Sequence, residues 1–588
     1  MLKHHMIAGL DLLSDPATSP SGHSQIIQKS AACPWDILRS AYPISLDSGS
    51  LEAVSRVSLW VKDCVREHSV CGNQTGARLP TRILEIRTNR EVRLHITKNE
   101  TAPYACLSHC WGKDQSRMIK TTSSSLENHK QNIPWSSLPT TFRDAIHFTH
   151  ALGIRYLWID SLCILQGCAN DWRREGGRMA EIYANAFITL AATKSSNCDE
   201  GMFSQPSNSC PPRSGTFFNG VGQPYKLHCR KAMKVPDKYP LLDRGWAFQE
   251  RLLSKRIVHF AENELIWECL EASCCECSGP HELSFLHIFP IDKKPSFIMQ
   301  DSRSTIELQD AWLQLIESYS VKGGPRALTF PIRDVFPAIQ GVVKLAPPRL
   351  GKYLAGHWSS DFPRSLCWSL RLVPGPKPPD WRAPSWSWAC GVPRASYWDV
   401  TDETFACARK IKPSCVVVSA TTNPVLGGDD PTGQLSSGEI VLRGKCLTGW
   451  TQKNTWESTE PPALYLNGDL TRPGNQGMGS ESWRQQPRWD YTFQGDQEIK
   501  VLVIQMMAGF VLQKHLDMPC QYQVWLILKP VSDSEGAKFE RMGLFTSDSF
   551  LCPSSLSIRD ATEEEWKTVD AVAAKLDATA EEREVTIV

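Results

Sequence analysis

Between about residues 100 and 270, short apolar runs of strand length alternate with longer stretches whose apolar residues recur every three or four positions. No other feature restricts the fold as strongly. Strand–helix–strand units of this size favour a parallel sheet covered on both faces by its crossover helices, a doubly wound, mainly parallel α/β sheet. The first run is YACLSHCWG, Tyr104 to Gly112, an apolar strand passing into a short polar loop. LPTTFRDAIHFTHALG follows: Thr141 with Asp144 fits a capping box, Phe142, Ala145, Ile146, Thr149 and Leu152 recur at helical spacing, and Gly153 is a C′ stop. Arg155 to Asp160, RYLWID, reads as a buried strand ending in an acid. Then come one helix, DWRREGGRMAEIYANA, and a strand, FITLAAT, at 187–193. DRGWAFQERLLSKRIVHFAENELIWEC, Asp243 to Cys269, adds a short helix and two strands.

In sheets of this kind ligands sit beyond the carboxyl ends of the strands. The loop Ser108–Gly112 and the pair Asp160–Ser161 are therefore expected on one rim. Helical phase singles out a further acid. At 100° per residue Trp172, Gly176, Met179, Ile182, Tyr183 and Ala186 share one arc, and Glu175 falls inside it, whereas Glu181 points to the opposite side. A carboxylate on an apolar face is costly unless paired, and acids so placed are enriched at functional sites. The alternative is a purely structural ion pair of Glu175 with Arg244 or Arg155.

The rest of the 588 residues divides by composition. Residues 1–50, rich in Ser, Pro and Gly, read as a mobile leader, and 51–100 as a helix (51–71) and strand (LPTRILEI, 79–86) leading into the α/β block, 101–280. Residues 281–400 read as a helical stretch beginning near Ser304, followed by a Pro- and Trp-rich one. GEIVLRGKCLTGW, EIKVLVIQMM and QVWLILKPV make 401–560 a β-rich region, and 561–588 reads as an acidic amphipathic helix or tail. The most apolar window, Val501 to Leu512, is about half of a membrane span and reads as buried strand. Lys and Arg number 64 against 63 Asp and Glu, so neither nucleic acid nor an anionic membrane is the expected partner. Twenty-one cysteines without a signal-peptide-like start point to a reducing compartment, the cytoplasm.

Several chemistries are disfavoured. No GxGxxG or GxxxxGK[ST] string is present, which argues against a redox Rossmann enzyme and a P-loop NTPase. A thiol hydrolase would draw on His109, Cys110, Asp160 and Cys163, but no cysteine-protease signature surrounds either thiol, and buried cysteines are common. Zinc ligands are available in Cys64, His68 and Cys71 and in the group Cys269, Cys274, Cys275 and Cys277. Neither group has paired CxxC spacing, and four-coordinate closure needs the two to meet, so no metal site is expected. The helix bearing Trp60, Cys64 and His68 reads instead as a packing face.

SHCWG, the TT at 121–122, LPTTFRDAI, LGIRYLWIDSLCILQ, NDWRREGGRMAEIYANAFITLAA, GMF at 201–203 and RGWAFQERLLSKRIVHF ending in WEC together resemble the heterokaryon-incompatibility (HET) domain of filamentous fungi. RAPSWSWAC at 382–390 resembles a segment common downstream of it; ILQGCANDW departs from the acidic pair usual after the Gln, in a surface loop. The resemblance implies an intracellular self/non-self recognition factor whose activation leads to cell death, with other incompatibility or NLR-type proteins and self-assembly as its partners. The family is remotely similar to Toll/interleukin-receptor (TIR) domains, some of which cleave NAD with a helix glutamate. By that analogy Glu175 is the catalytic acid of an NAD glycohydrolase, with NAD as substrate and no resident cofactor. Trp111 or Trp172 would stack on a base, backbone N–H groups of the Ser108–Gly112 loop would hold phosphate, and Asp160 would line the same site. A non-enzymatic scaffold of the same fold is the third reading. An enzyme needs Glu175 in an open cleft; a scaffold leaves it paired and sealed.

Overall fold

The computed structural model describes residues 10–14, 39–40, 44–45, 47–72, 76–115, 118–204, 213–231, 239–276, 303–320, 328–370, 377–391, 395–397, 412–425, 430–452, 463–466, 488–490, 499–512, 519–531, 538–546, 574 and 577–588. The chain forms two compact units, Met1–Ser296 and Phe297–Val588. Among the described residues no helix is long and apolar enough to cross a membrane.

The first unit is built on an eight-stranded sheet. Its strands are β1 (Arg82–Thr88), β2 (Glu91–Ile96), β3 (Tyr104–Ser108), β4 (Tyr156–Trp158), β5 (Ile188–Ala191), β6 (Arg256–Phe260), β7 (Leu265–Cys269) and β8 (Ser273–Cys275), and they lie in the order β8-β7-β6-β5-β3-β4-β1-β2. The sheet is mixed rather than mainly parallel. The four central strands β6, β5, β3 and β4 run parallel, whereas β1–β2 and β6–β7–β8 are antiparallel hairpins and β1 joins β4 antiparallel. The connections explain the split. Only two residues, Asn89 and Arg90, separate β1 from β2, and only four separate β6 from β7, too few for the crossover that a parallel pair requires. Of the four central strands, β3, β5 and β6 are buried along their whole length, as two-faced burial demands.

Helices α1 (Leu51–Glu67), α2 (Thr140–Ala151), α3 (Asp160–Cys163), α4 (Ala169–Gly176), α5 (Met179–Asn185) and α6 (Gly245–Leu253) pack around this sheet. The predicted capping box of α2 does not form: Pro139 is its N-cap, and Asp144 instead accepts hydrogen bonds from the backbone of Met202 (2.9 Å) and Phe203 (3.4 Å). That bond ties two sequence-distant strings, LPTTFRDAI and GMF. Gly201, at φ +72°, permits the approach, since a Cβ there would fall 2.9 Å from Asp144 Oδ2. Gly153 does end α2, at φ +75°. The helix expected over 171–186 is two helices, broken after the glycine pair Gly176–Gly177, where helix propensity is poorest. Leu10–Ser14, inside the stretch expected to be a mobile leader, is a strand paired with Pro224–Lys231.

The second unit opens with α7 (Thr305–Ser318), which carries a capping box between Ser304 and Glu307. The strands of its nine-stranded sheet are β9 (Lys412–Pro413), β10 (Val416–Pro424), β11 (Leu435–Gln452), β12 (Ala463–Leu466), β13 (Arg488–Trp489), β14 (Ile499–Leu512), β15 (Pro519–Pro530), β16 (Lys538–Thr546) and β17 (Glu581–Ile587). The β-rich reading of this region holds, and the apolar window 501–512 is interior strand. The segment read as an acidic helix or tail is helical at 574 and 577–579 but ends in a strand, β17, which pairs with β11 and β16; most of the rest of 561–588 lies outside the described residues. The pairings β14–β15–β16–β17–β11–β14 close on themselves around Trp525, Ile527, Met542, Phe545 and Val503. RAPSWSWAC serves as internal packing in this unit. Ser387 Oγ donates to the Ala355 carbonyl (2.6 Å), Trp386 and Trp388 are buried, and Gly356, at φ +96°, lets the Trp388 indole lie against the backbone.

Candidate functional site

Three parallel strands of the first unit end on the same edge of the sheet. β3 delivers Ser108, His109, Cys110 and Trp111; β4 passes through Ile159 into Asp160 and Ser161 at the start of α3; β5 runs into Ala192 and Thr193. Strand β3 lies between β4 and β5, and the Ala192 N–H donates to the Ser108 carbonyl (2.9 Å). The expectation that Ser108–Gly112 and Asp160–Ser161 share a rim is met. The indole N–H of Trp111 donates to Asp160 Oδ2 at 2.8 Å, and the Thr121 N–H donates to the Ser161 carbonyl at 3.0 Å, which accounts for the TT string. Trp111 is half-buried, with Lys120 Nζ 5.4 Å from its ring centre. Asp160 keeps 12% of its side chain exposed and is the acid that opens the rim to solvent.

Beneath the rim lies a group that the sequence reading did not single out. Glu250, on α6, is sealed, and its carboxylate accepts the hydroxyl proton of Ser108. Among the described residues no cation pairs with it. Burial pushes its carboxyl up to about 7, with Arg244 and the Ser108 hydrogen bond pulling the other way. A partial signal was available, because Glu250 lies three residues after Ala247, which packs into the core with Cys110, Ala191, Leu241 and Ile257. That spacing places Glu250 on the same face as a core alanine. His109 is likewise buried, edge-on to Phe142 with ring centres 5.0 Å apart. Its Nε2 has no hydrogen-bond partner and stands 4.0 Å from Asp160 Oδ1. Burial brings the imidazole down to about 4, so it is neutral at ordinary pH. The Ser161 hydroxyl is also buried without a partner, while Arg244 donates to the His109 carbonyl.

The other candidates separate from this cluster. Glu175 is buried and Glu181 exposed, as helical phase predicts. The partners of Glu175 are not Arg244 or Arg155 but Arg174 (3.0 Å) and Arg178 (3.9 Å). Arg155 pairs with Glu85 across the β1–β4 boundary instead. No hydrogen bond or ion pair of Glu175 among the described residues reaches Ser108, Trp111 or Asp160. Trp172, half-buried, meets Trp246 of α6 edge-to-face at 6.4 Å. The Ser108 hydroxyl is engaged with Glu250. Burial pushes the thiols of Cys110 and Cys163 up to about 11 and about 12, so neither is a thiolate at neutral pH, and a thiol-hydrolase reading loses its nucleophile. The two groups of candidate metal ligands do come together in part. Cys64, His68 and Cys71 do meet Cys269, because α1 is laid against the β7 edge of the sheet. Cys274 and Cys275 are buried outside that cluster, and Cys277 lies outside the described residues.

A mixed α/β domain with a partly exposed acid, a neutral histidine and a tryptophan at the ends of its parallel strands, above a sealed acid, is thus what the first unit contributes. Residues 104–250 match the family model described as heterokaryon incompatibility protein (HET), and this stretch is a HET domain. The match begins on the first residue of β3 and ends on Glu250. No curated protein and no solved structure matches the chain.

Proposed function

We propose that the protein acts in heterokaryon incompatibility as a self/non-self recognition factor, and that its HET domain triggers cell death. The observation that carries this reading is the match over 104–250, which takes in the whole strand-end cluster from Ser108 to Glu250. The second unit serves as the recognition or regulatory part. Inducible expression of the full chain in a filamentous fungus tests the proposal through dye uptake by dying cells. Death is expected for the native chain and for Glu181→Gln, and strong attenuation for Asp160→Asn. Healthy cells accumulating soluble native chain would sink it.

A second reading, NAD cleavage, draws support from the rim itself. Asp160 is a partly exposed carboxylate beside a tryptophan, with two buried polar atoms, His109 Nε2 and Ser161 Oγ, lacking partners close by. In that reaction the bond between nicotinamide and the ribose breaks and water adds to the ribose carbon, giving nicotinamide, ADP-ribose and a proton. The positive charge that develops on the ribose suits a nearby carboxylate. Asp160 is the acid we assign to it. Glu175, paired and sealed by Arg174 and Arg178, has the surroundings expected of a scaffold acid. Cellular NAD measured during killing separates the two mechanisms: a fall that Asp160→Asn abolishes supports cleavage, and constant NAD leaves assembly without chemistry.

A further inference from the structure

Four donor side chains from the two flanks of the stretch 104–250 converge in the first unit. Cys64 and His68 are one helical turn apart at the end of α1, so they share a face, and the His68 N–H donates to the Cys64 carbonyl at 3.1 Å. The chain then turns at Ser69–Cys71, where the Gly72 N–H donates to the Ser69 carbonyl at 3.3 Å, bringing Cys71 back to the same place. Cys269 is the last residue of β7, where the chain enters the turn to β8. One donor atom from each of Cys64, His68, Cys71 and Cys269 lies within 4.8 Å of all the others, and Cys269 Sγ is 3.2 Å from His68 Nδ1. The three sulfurs are buried; the imidazole is half-buried.

Three thiols and an imidazole are the donor set of a closed tetrahedral zinc site, in which Zn–S is about 2.3 Å and Zn–N about 2.0–2.1 Å. Two further contacts favour thiolates bound to a cation over free thiols. The Arg256 guanidinium Nε donates to Cys64 Sγ at 3.2 Å, and the Ala272 backbone N–H donates to Cys269 Sγ at 3.2 Å. Arg256 is itself buried and also donates to the carbonyls of Cys71 and Gly72. Three thiolates around a dication leave one net negative charge, which this guanidinium balances. A disulfide would join only two of the sulfurs and would leave the third, and the histidine, without a reason to be there.

We propose that Cys64, His68, Cys71 and Cys269 bind one structural zinc ion, which fastens α1 and the loop after it to the β7–β8 turn. With four protein ligands the site has no open position, so its role is to hold the fold rather than to activate water. The ligands come from both flanks of the HET match, so the folded domain extends beyond that match on each side.

The full chain, purified without chelator from zinc-containing medium, tests the proposal by elemental analysis. One zinc per chain is expected, with at least a tenfold loss in Cys64→Ser and in Cys269→Ser. Should those variants fail to fold, cobalt exchange into the native chain decides. Thiolate-to-cobalt charge transfer with the absorption of a tetrahedral ion is expected, and His68→Cys should keep the metal while shifting that spectrum toward an all-sulfur site. Folded native chain that carries less than a tenth of an equivalent of zinc and takes up no cobalt would overturn the site. So would a disulfide between any two of the three cysteines in freshly trapped protein.

Discussion

Each unit buries a carboxylate beside aromatic residues, and the two are handled in opposite ways. In the second unit Asp490 is met by Arg541, whose Nε lies 2.7 Å from its Oδ2. The same guanidinium donates to the carbonyls of Leu366 and Trp368 and lies 3.5 Å over the Trp368 ring. Charge and hydrogen-bonding capacity are matched where they stand. In the first unit Glu250 is met by the hydroxyls of Ser108 and Tyr183 and, among the described residues, by no paired cation, and burial pushes its carboxyl up to about 7. A buried acid with a dedicated arginine is architecture. One left short of a partner at the ends of parallel strands is an acid whose ionisation can be used.

The largest effect that would break this contrast is expected at Arg541. Arg541→Met strands a buried aspartate and should cost about 3–5 kcal/mol. Hydrogen exchange should show the loss in the strands of the second unit, 499–530, and leave 104–191 protected. Equal loss in both would mean that the pair is not local architecture.

The next effect has a sign of its own. The carboxyl of Glu250 is raised from 4.5 to about 7 in the folded chain, so between these values the native state holds a proton that the unfolded state has released. Stability from this group therefore falls as pH rises across that window, by at most about 3 kcal/mol, and is flat above it. Glu250→Gln should remove the slope and leave the variant more stable than the native chain at pH 8, by denaturant titration. His109 runs the other way. Its imidazole drops from 6.5 to about 4, so its contribution is present above pH 6.5 and is lost on acidification toward 4. An unchanged slope in Glu250→Gln would remove that residue from the contrast.

A smaller effect sharpens the comparison within the first unit. Asp144 is half-buried, where Glu250 is sealed, and accepts two backbone N–H groups, those of Met202 and Phe203. Asp144→Ala leaves both donors unsatisfied and should cost about 2 kcal/mol at neutral pH, read as a lowered midpoint in urea. A cost below about 0.5 kcal/mol would show that water replaces the carboxylate there.

These residues also mark what could be read without coordinates. Strand ends are local, so the run into Asp160 and the loop after Ser108 were legible, and their meeting at one rim followed from a general rule of parallel sheets. The burial of Glu175 followed from helical phase, but its partners did not. Arg174 and Arg178 are neighbours on its own chain segment, one inside α4 and one just past the glycine break. The mixed character of the sheet was hidden because hairpin strands and crossover strands share the same composition. Glu250 was not legible because α6 is buried on every side, so helical phase does not separate it from Gln249 or Arg251. The meeting of Cys269 with Cys64 depends on contacts about two hundred residues apart, which no spacing rule reports.

The closed ring of strands in the second unit also has a consequence in time. β17 occupies a place beside β11, yet well over a hundred residues lie between them in the chain. On a ribosome adding roughly 5–20 residues per second, β11 waits on the order of ten seconds for that neighbour. During the interval its backbone donors and acceptors at Ile440–Cys446 form an open edge able to pair with another nascent chain. Synthesis of the second unit is therefore the vulnerable stage in the life of this protein. A chain stopped before Glu581 should be recovered as aggregate rather than as a shortened domain.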